Sequence, residues 1–460
     1  MNQQLSANDL WATFNERFYY PNMHKGGPLE VELILSPKCN LACKYCYVNK
    51  YYHITYPDAI YDPNVAVDNA MKYLKALTKM GLAPDVDIFS GELFAQEAGF
   101  RLLERMLQHY ESLPESLRPD VVSIPTNYTF ICDPKLTERV QSLVDGFKEL
   151  NISINLSASV EGKYMEENRP CAKPIDIDLK VVRDDAYYDR MFEFCKRNYF
   201  GFHPMLSAEN IDKWIDNFNW WQQKLKEHDM EWDSVYILEV RNADYWTEEQ
   251  LAEYQKFLHY IYFYALDKCK ECGWDFLKWL LRLEDKNNDD DHSVGWDNGF
   301  NILMQPLCSN TNGIGCNIQQ HTAVRCADLT IVPCHRLMYE QFHIAKILID
   351  DDYNISYDCS NLEMGMVLPM VRQKIQPKCN TCPLNHICIN GCLGAQYEAT
   401  GDLFTPIPTI CRLMLVKAKT MLDCLKESGH YHEMMKIMNT NMRKQYYELE
   451  KYLEEHKNDS

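Results

Sequence analysis

Residues 31–47 read VELILSPKCNLACKYCY. The apolar run Val31–Ser36 has the composition of a buried strand. Directly after the strand, Cys39, Cys43 and Cys46 place three thiols on one tight loop. Three thiolates can bind three corners of a [4Fe–4S] cubane and leave the fourth iron open, whereas a structural zinc site closes with a fourth protein ligand. An open iron is a reaction site. Tyr45, just before the third cysteine, is placed to pack over whatever binds there.

Outward from this loop, short apolar runs alternate with amphipathic stretches of helical period. The strands are expected at 31–36, 85–89 (DVDIF), 121–125 (VVSIP), 152–158 (ISINLSA), 200–206 (FGFHPML) and 234–240 (SVYILEV). Helices are expected over about 64–80, 97–112, 134–149, 185–198, 209–228 and 247–271. Six strand–helix units predict an α/β fold built on a parallel sheet, a partial (β/α)6 TIM-like barrel. The expected organisation is an N-terminal segment (1–28), the barrel (29–283), an acidic linker (284–305, with EDKNNDDDH at 284–292), a small cysteine-rich α+β domain (306–415) and a charged helical tail (416–460).

Composition narrows the function classes. Hydrophobic residues make up 46% and charged residues 25% of the 460, an ordinary globular balance. A net charge of −19 with no basic stripe argues against nucleic acid. No apolar run suits a membrane span, and the N-terminus lacks an export signal, so the expected location is cytoplasmic. Nineteen cysteines then have no use as a disulfide framework. They must be metal ligands, redox groups or buried thiols.

The Cys39–Cys46 loop after strand one resembles the signature of the radical S-adenosylmethionine (SAM) enzymes. That resemblance implies a cluster whose open iron is chelated by SAM, and reductive cleavage to a 5′-deoxyadenosyl radical that abstracts hydrogen. Ser90, Gly91 and Glu92 after strand two resemble the segment that binds the methionyl amino group, with Ser90 standing where the family has glycine. Thr126-Asn127 fits the end of strand three. Ser159 resembles the residue that contacts the SAM ribose, although Glu161 replaces the usual Asp two positions on. Arg169 is a candidate for the SAM carboxylate and Leu238 for packing on the adenine.

The second group, Cys379-x2-Cys382-x5-Cys388-x3-Cys392 and then Cys411, contains five thiols, one more than a single tetrahedral site needs. With Cys316 and Cys334 upstream it resembles the SPASM extension of radical SAM enzymes, with Leu329 where the family has glycine. The resemblance implies two auxiliary [4Fe–4S] clusters, for three in all. The first would use Cys308, Cys316, Cys334 and Cys392, and the second Cys379, Cys382, Cys388 and Cys411. Cys326 remains an alternative to Cys308. His335, where sulfatase-maturing relatives carry an Asp base, is the candidate catalytic base. Enzymes of this type mostly modify peptides or proteins. The leading expectation is an oxidoreductase that crosslinks a ribosomal peptide, fed by an electron donor such as flavodoxin or ferredoxin. Because only about 28 residues precede strand one, leader recognition is expected from the barrel or a separate leader-binding protein. The alternatives are a formylglycine-forming sulfatase maturase and, outside enzymes, an iron–sulfur electron-transfer or scaffold protein.

Overall fold

The computed structural model describes residues 30–242, 244–281, 300–304, 321–358, 379, 381–385, 388, 392–403, 405–438 and 440–455. The chain divides into two compact units, one of residues 1–200 with 317–369 and the other of residues 201–316 with 370–460.

The first unit is organised by a sheet. Strands β1 (Glu30–Ser36), β2 (Asp85–Ser90), β3 (Val121–Thr126) and β4 (Ser153–Ala158) run parallel in sequence order. On the other side of β1 lies β7 (His321–Arg325), also parallel, followed by the antiparallel strands β8 (Thr330–Val332), β9 (Ala345–Ile349) and β10 (Ile355–Asp358). Strand residues alternate faces. Leu33, Ile88, Ile124 and Leu156 are fully buried, while the in-register row Glu32, Asp87, Ser123 and Asn155 carries polar groups across the other face.

Helices α1 (Tyr47–Thr55), α2 (Pro63–Lys79), α3 (Glu97–Glu111), α4 (Pro134–Glu149) and α5 (Asp185–Asn198) accompany the strands. Their starts follow from local chemistry. Asp62 and Asp133 each accept two first-turn amide hydrogen bonds ahead of a proline at the first helical position, and Asp184 accepts one from Tyr187. The hairpin turn between β7 and β8 explains a sequence irregularity. Leu329 adopts φ +58°, the left-handed conformation that glycine takes at little cost, so the residue type departs from the expectation while the turn does not.

In the second unit, β5 (Met205–Leu206) and β6 (Leu238–Glu239) form a short parallel pair preceded by a single bridge between Phe202 and Val235. They are shorter than their apolar runs. Pro204 removes a ladder donor from the first of them. Helix α6 (Trp214–Glu227) lies between the two strands in sequence, and α7 (Glu248–Cys272) starts at a capping box formed by Thr247 and Gln250. Helix α8 (Leu393–Thr400) precedes α9 (Pro408–Glu427), which packs along α7, and α10 (Tyr431–Ile437) and α11 (Thr440–Glu455) complete the helical tail. No helix is long and apolar enough to cross a membrane among the described residues.

Candidate functional site

The cysteine loop is held on both sides by backbone hydrogen bonds. Ala42 and Lys44 donate to the carbonyls of Pro170 and Asn168 at 2.8 and 3.1 Å, Ala172 donates to Asn40 at 2.8 Å, and Leu41 bridges to Cys171. The segment 168–172 therefore acts as a second wall of the loop. Cys46 is the N-cap residue of α1.

On the β2 side the fit is tighter. Gly91 donates to Ser36 and Glu92 to Lys38, both at 2.9 Å. A Cβ at position 91 would lie 2.2 Å from the Lys38 carbonyl oxygen, so only glycine is accommodated. Gln96 ties the same strands together: it accepts from the Ser36 hydroxyl at 2.6 Å and donates to the carbonyls of Glu92 at 2.7 Å and Lys38 at 3.2 Å. Buried Ser90 lies within 3.4 Å of the Ser36 carbonyl. Sequence reasoning missed Gln96, because a lone glutamine carries no spacing signal.

Glu92 is buried and serves the protein. Its Oε1 accepts from the Phe94 amide at 3.1 Å and the Thr126 hydroxyl at 2.8 Å, while Oε2 accepts from the Asn127 amide at 2.6 Å. Asn127 in turn donates to Asn40 at 2.9 Å and approaches the Cys39 sulfur at 3.9 Å. Burial pushes the Glu92 carboxyl from its ordinary 4.5 up to about 7, against the pull of those three donors. Between these two values the folded chain keeps a proton that the unfolded chain has released, so stability falls as pH rises towards 7 and then levels off. We expect melting temperature to decline between pH 5 and 7 by the equivalent of about 1–3 kcal/mol, with Glu92→Gln removing this slope; an equal slope in both proteins would assign it elsewhere.

The thiols of Cys39 and Cys43 are also shifted up by burial, Cys43 to about 11, with Arg169 the main group opposing the shift at Cys43. Arg169 is buried, donates through Nε to Glu161 at 2.7 Å and lies 5.4 Å from the Tyr45 ring centre. Tyr45 also donates to Glu161. The Glu161 that departs from the family pattern thus anchors both residues. Arg183, which sequence reasoning missed, has a side chain with no exposed surface, and its Nη1 donates to Glu166 at 2.9 Å and to the Arg169 carbonyl at 3.2 Å. Its Nε and Nη2 are buried without a hydrogen-bond partner among the described residues. Such donors are costly unless a ligand meets them. Ser159 ends the β4 segment half-buried, with its amide donating to Thr126 at 2.8 Å.

His335 also lies in the first unit. Its Nδ1 pairs with Glu32, its ring stacks on Phe89 at 4.1 Å between centres and 7° between planes, and its carbonyl accepts from Tyr52 at 2.7 Å. The side chain is 32% exposed. Cys334 next to it is buried, and Cys326 is fully buried in the hairpin beside a core cluster containing Ala323, Ala327 and Val332.

In the second unit, Cys379, Cys382, Cys388 and Cys411 line one cavity together with Ile407, Ile410 and Met414. Cys392 is the N-cap residue of α8, and Leu238 is half-buried at the start of β6. Cys308 and Cys316 lie outside the described residues. Among the described residues no three His, Cys, Asp or Glu side chains are grouped around a single metal position. A cubane takes one thiolate at each iron and so asks for thiols around a cage.

The radical SAM superfamily matches residues 33–161, the segment that contains β1 to β4 and the cysteine loop. The chain carries a radical SAM domain. It is similar to the radical SAM cyclopropyl synthase TigE of Paramaledivibacter caminithermalis, with 24% identity over 191 residues. That match covers 40% of this chain and 36% of the relative, so the chain spans about a third of that protein's length. Among solved structures, native anSMEcpe with bound AdoMet and Cp18Cys peptide shares the fold at a TM-score of 0.57 and 13% identity, over 89% of this chain and 100% of that one. Native anSMEcpe with bound AdoMet gives 0.56 at 14% identity, over 87% and 98%. The radical SAM domain implies a [4Fe–4S] cluster and SAM.

Proposed function

We propose that this chain is a peptide-modifying radical SAM enzyme that installs a crosslink, with auxiliary clusters in a SPASM-type arrangement. The observation that carries the reading is the cysteine loop at the end of β1, closed between Gly91 and the 168–172 segment. A peptide substrate is suggested by the peptide bound in the neighbouring fold. The four cysteines lining one cavity coincide with the set expected for the second auxiliary cluster, and Cys392 is not among them.

When bound, the reduced cluster supplies the electron that splits SAM to the hydrogen-abstracting 5′-deoxyadenosyl radical. The protein's residues do the rest. Cys39, Cys43 and Cys46 would hold three irons of the cluster, Gly91 brings the β2 turn against the loop, and Ser159 would meet the ribose. Arg169, held through Nε by Glu161, is assigned to the SAM carboxylate, and Arg183 beside it would add its two buried donors. Replacing Arg183 with Met should weaken SAM binding about 10–100-fold, the range for a lost charge-assisted hydrogen bond of about 1.5–3 kcal/mol; calorimetry showing unchanged affinity would leave Arg183 only a staple of the wall.

Joining two substrate atoms that each bear hydrogen requires loss of one hydrogen atom, one proton and one electron. The hydrogen atom leaves with 5′-deoxyadenosine. His335 would take the proton at Nε2, its Nδ1 being directed to Glu32, and Cys379, Cys382, Cys388 and Cys411 would hold a cluster able to accept the electron. His335→Ala should lower peptide turnover about 100-fold while leaving 5′-deoxyadenosine release in place, consistent with the scale of general-base contributions. Anaerobic turnover of a candidate peptide should give 5′-deoxyadenosine and a product lighter by two hydrogens that does not react with a hydrazide. A hydrazide-reactive product would mean formylglycine instead, and no 5′-deoxyadenosine from reconstituted protein would defeat the enzyme reading.

A further inference from the structure

The second unit buries an ion pair that the proposed chemistry does not use. Lys417 on α9 and Glu239 at the end of β6 pair with side chains 4% and 11% exposed, and the Tyr254 hydroxyl donates to the same carboxylate. Burying both charges costs several kcal/mol of desolvation per ion, so a hydrophobic pair of similar volume would often be at least as stable. The pair therefore asks for a further use, and its position supplies one. On α9, Ile407, Ile410, Cys411 and Met414 line the cysteine cavity. Lys417 follows Met414 by three residues, one turn further along the same helical face and about 4.5 Å along the axis.

We propose that Lys417 raises the reduction potential of the cluster held by Cys379, Cys382, Cys388 and Cys411, with Glu239 and Tyr254 fixing the ammonium group in place. The inference rests on the auxiliary-cluster reading above. A four-thiolate cubane gains one negative charge on reduction, and a fixed cation in a low-dielectric interior favours the more negative state. The geometry sets the ammonium close to the cavity: α9 contributes Cys411 and Met414 to its lining, and Lys417 follows one turn on. Burial holds the Lys417 pKa below its ordinary 10.5, with Glu239 opposing and Arg241 reinforcing that shift. Lys417 acts through its field on the cluster and is a positioning residue.

The test is a redox titration of the full-length, anaerobically reconstituted protein followed by electron paramagnetic resonance. The relevant cluster is identified as the signal lost in Cys388→Ala. Lys417→Met should lower its reduced-to-oxidised ratio at fixed potential about tenfold, equivalent to about 59 mV for a one-electron couple. Lys417→Arg, which keeps the charge, should stay within threefold of the parent. Glu239→Gln should shift the ratio the opposite way, and it keeps the inference testable if Lys417→Met does not fold. Unchanged midpoints in the folded variants overturn the inference and leave the cluster reading intact. If Cys388→Ala loses neither iron nor signal, the cluster reading itself fails, and this inference with it.

Discussion

Replacing Cys43 with alanine is expected to abolish 5′-deoxyadenosine formation, to below about one part in a thousand of the parent rate, while the chain still folds. The thiol is required because each cysteine of the loop is assigned to its own iron, and two thiolates do not hold a cubane with one open corner. The fold should survive because the loop is anchored by backbone groups: Ala42 and Lys44 bond to Pro170 and Asn168, and Cys46 caps α1 with no side-chain hydrogen bond. Iron analysis should show a loss of about four irons per chain with the auxiliary signals retained. Retained 5′-deoxyadenosine production would overturn the assignment of SAM to this loop, and loss of all iron would mean that the loop and the proposed auxiliary sites are not independent.

Gly91→Ala should be the most damaging change outside the cysteines. The added methyl would meet the Lys38 carbonyl carbon at 2.4 Å and the Cys39 amide nitrogen at 2.9 Å, as well as the carbonyl oxygen at 2.2 Å, and all three are backbone. Nothing flexible can give way. The loop or the β2 turn must move, and overpacking against rigid neighbours typically costs about 1–3 kcal/mol, at times more. The displaced loop carries Cys39, so SAM cleavage should fall at least about 100-fold even where the protein remains folded. The measurement is circular dichroism with 5′-deoxyadenosine release. Activity within threefold of the parent would show that the turn and the loop move together freely.

Much of the scaffold was legible because helices and strands leave local signals. Helical period over about 64–80 and 134–149 announces α2 and α4, and the three cysteines after Val31–Ser36 announce the loop. Three features were not legible. The short α1 begins at the third cysteine itself, where a metal-loop reading masks helical period. The pairing of β7 with β1 joins residues nearly 300 positions apart, and nothing local at 321–325 records its partner. Arg183 and Gln96 act through donors whose value depends on burial and on carbonyls brought in from elsewhere, and a residue type alone does not reveal either. The part Glu92 plays within the fold was equally hidden: its carboxylate accepts from the Phe94 amide in its own turn and from Thr126 and Asn127 at the end of β3.

The division of each unit into two chain segments also constrains synthesis. Strand β1 is emitted early and its neighbour β7 about 290 residues later, which at about 5–20 residues per second is a delay of about 15–60 s. Throughout that interval one edge of the nascent β1 has no partner, and unpaired edges invite association with other chains. Soluble yield should therefore respond to elongation rate and to chaperone supply, and iron delivered after release should be incorporated better than iron presented to ribosome-bound chains.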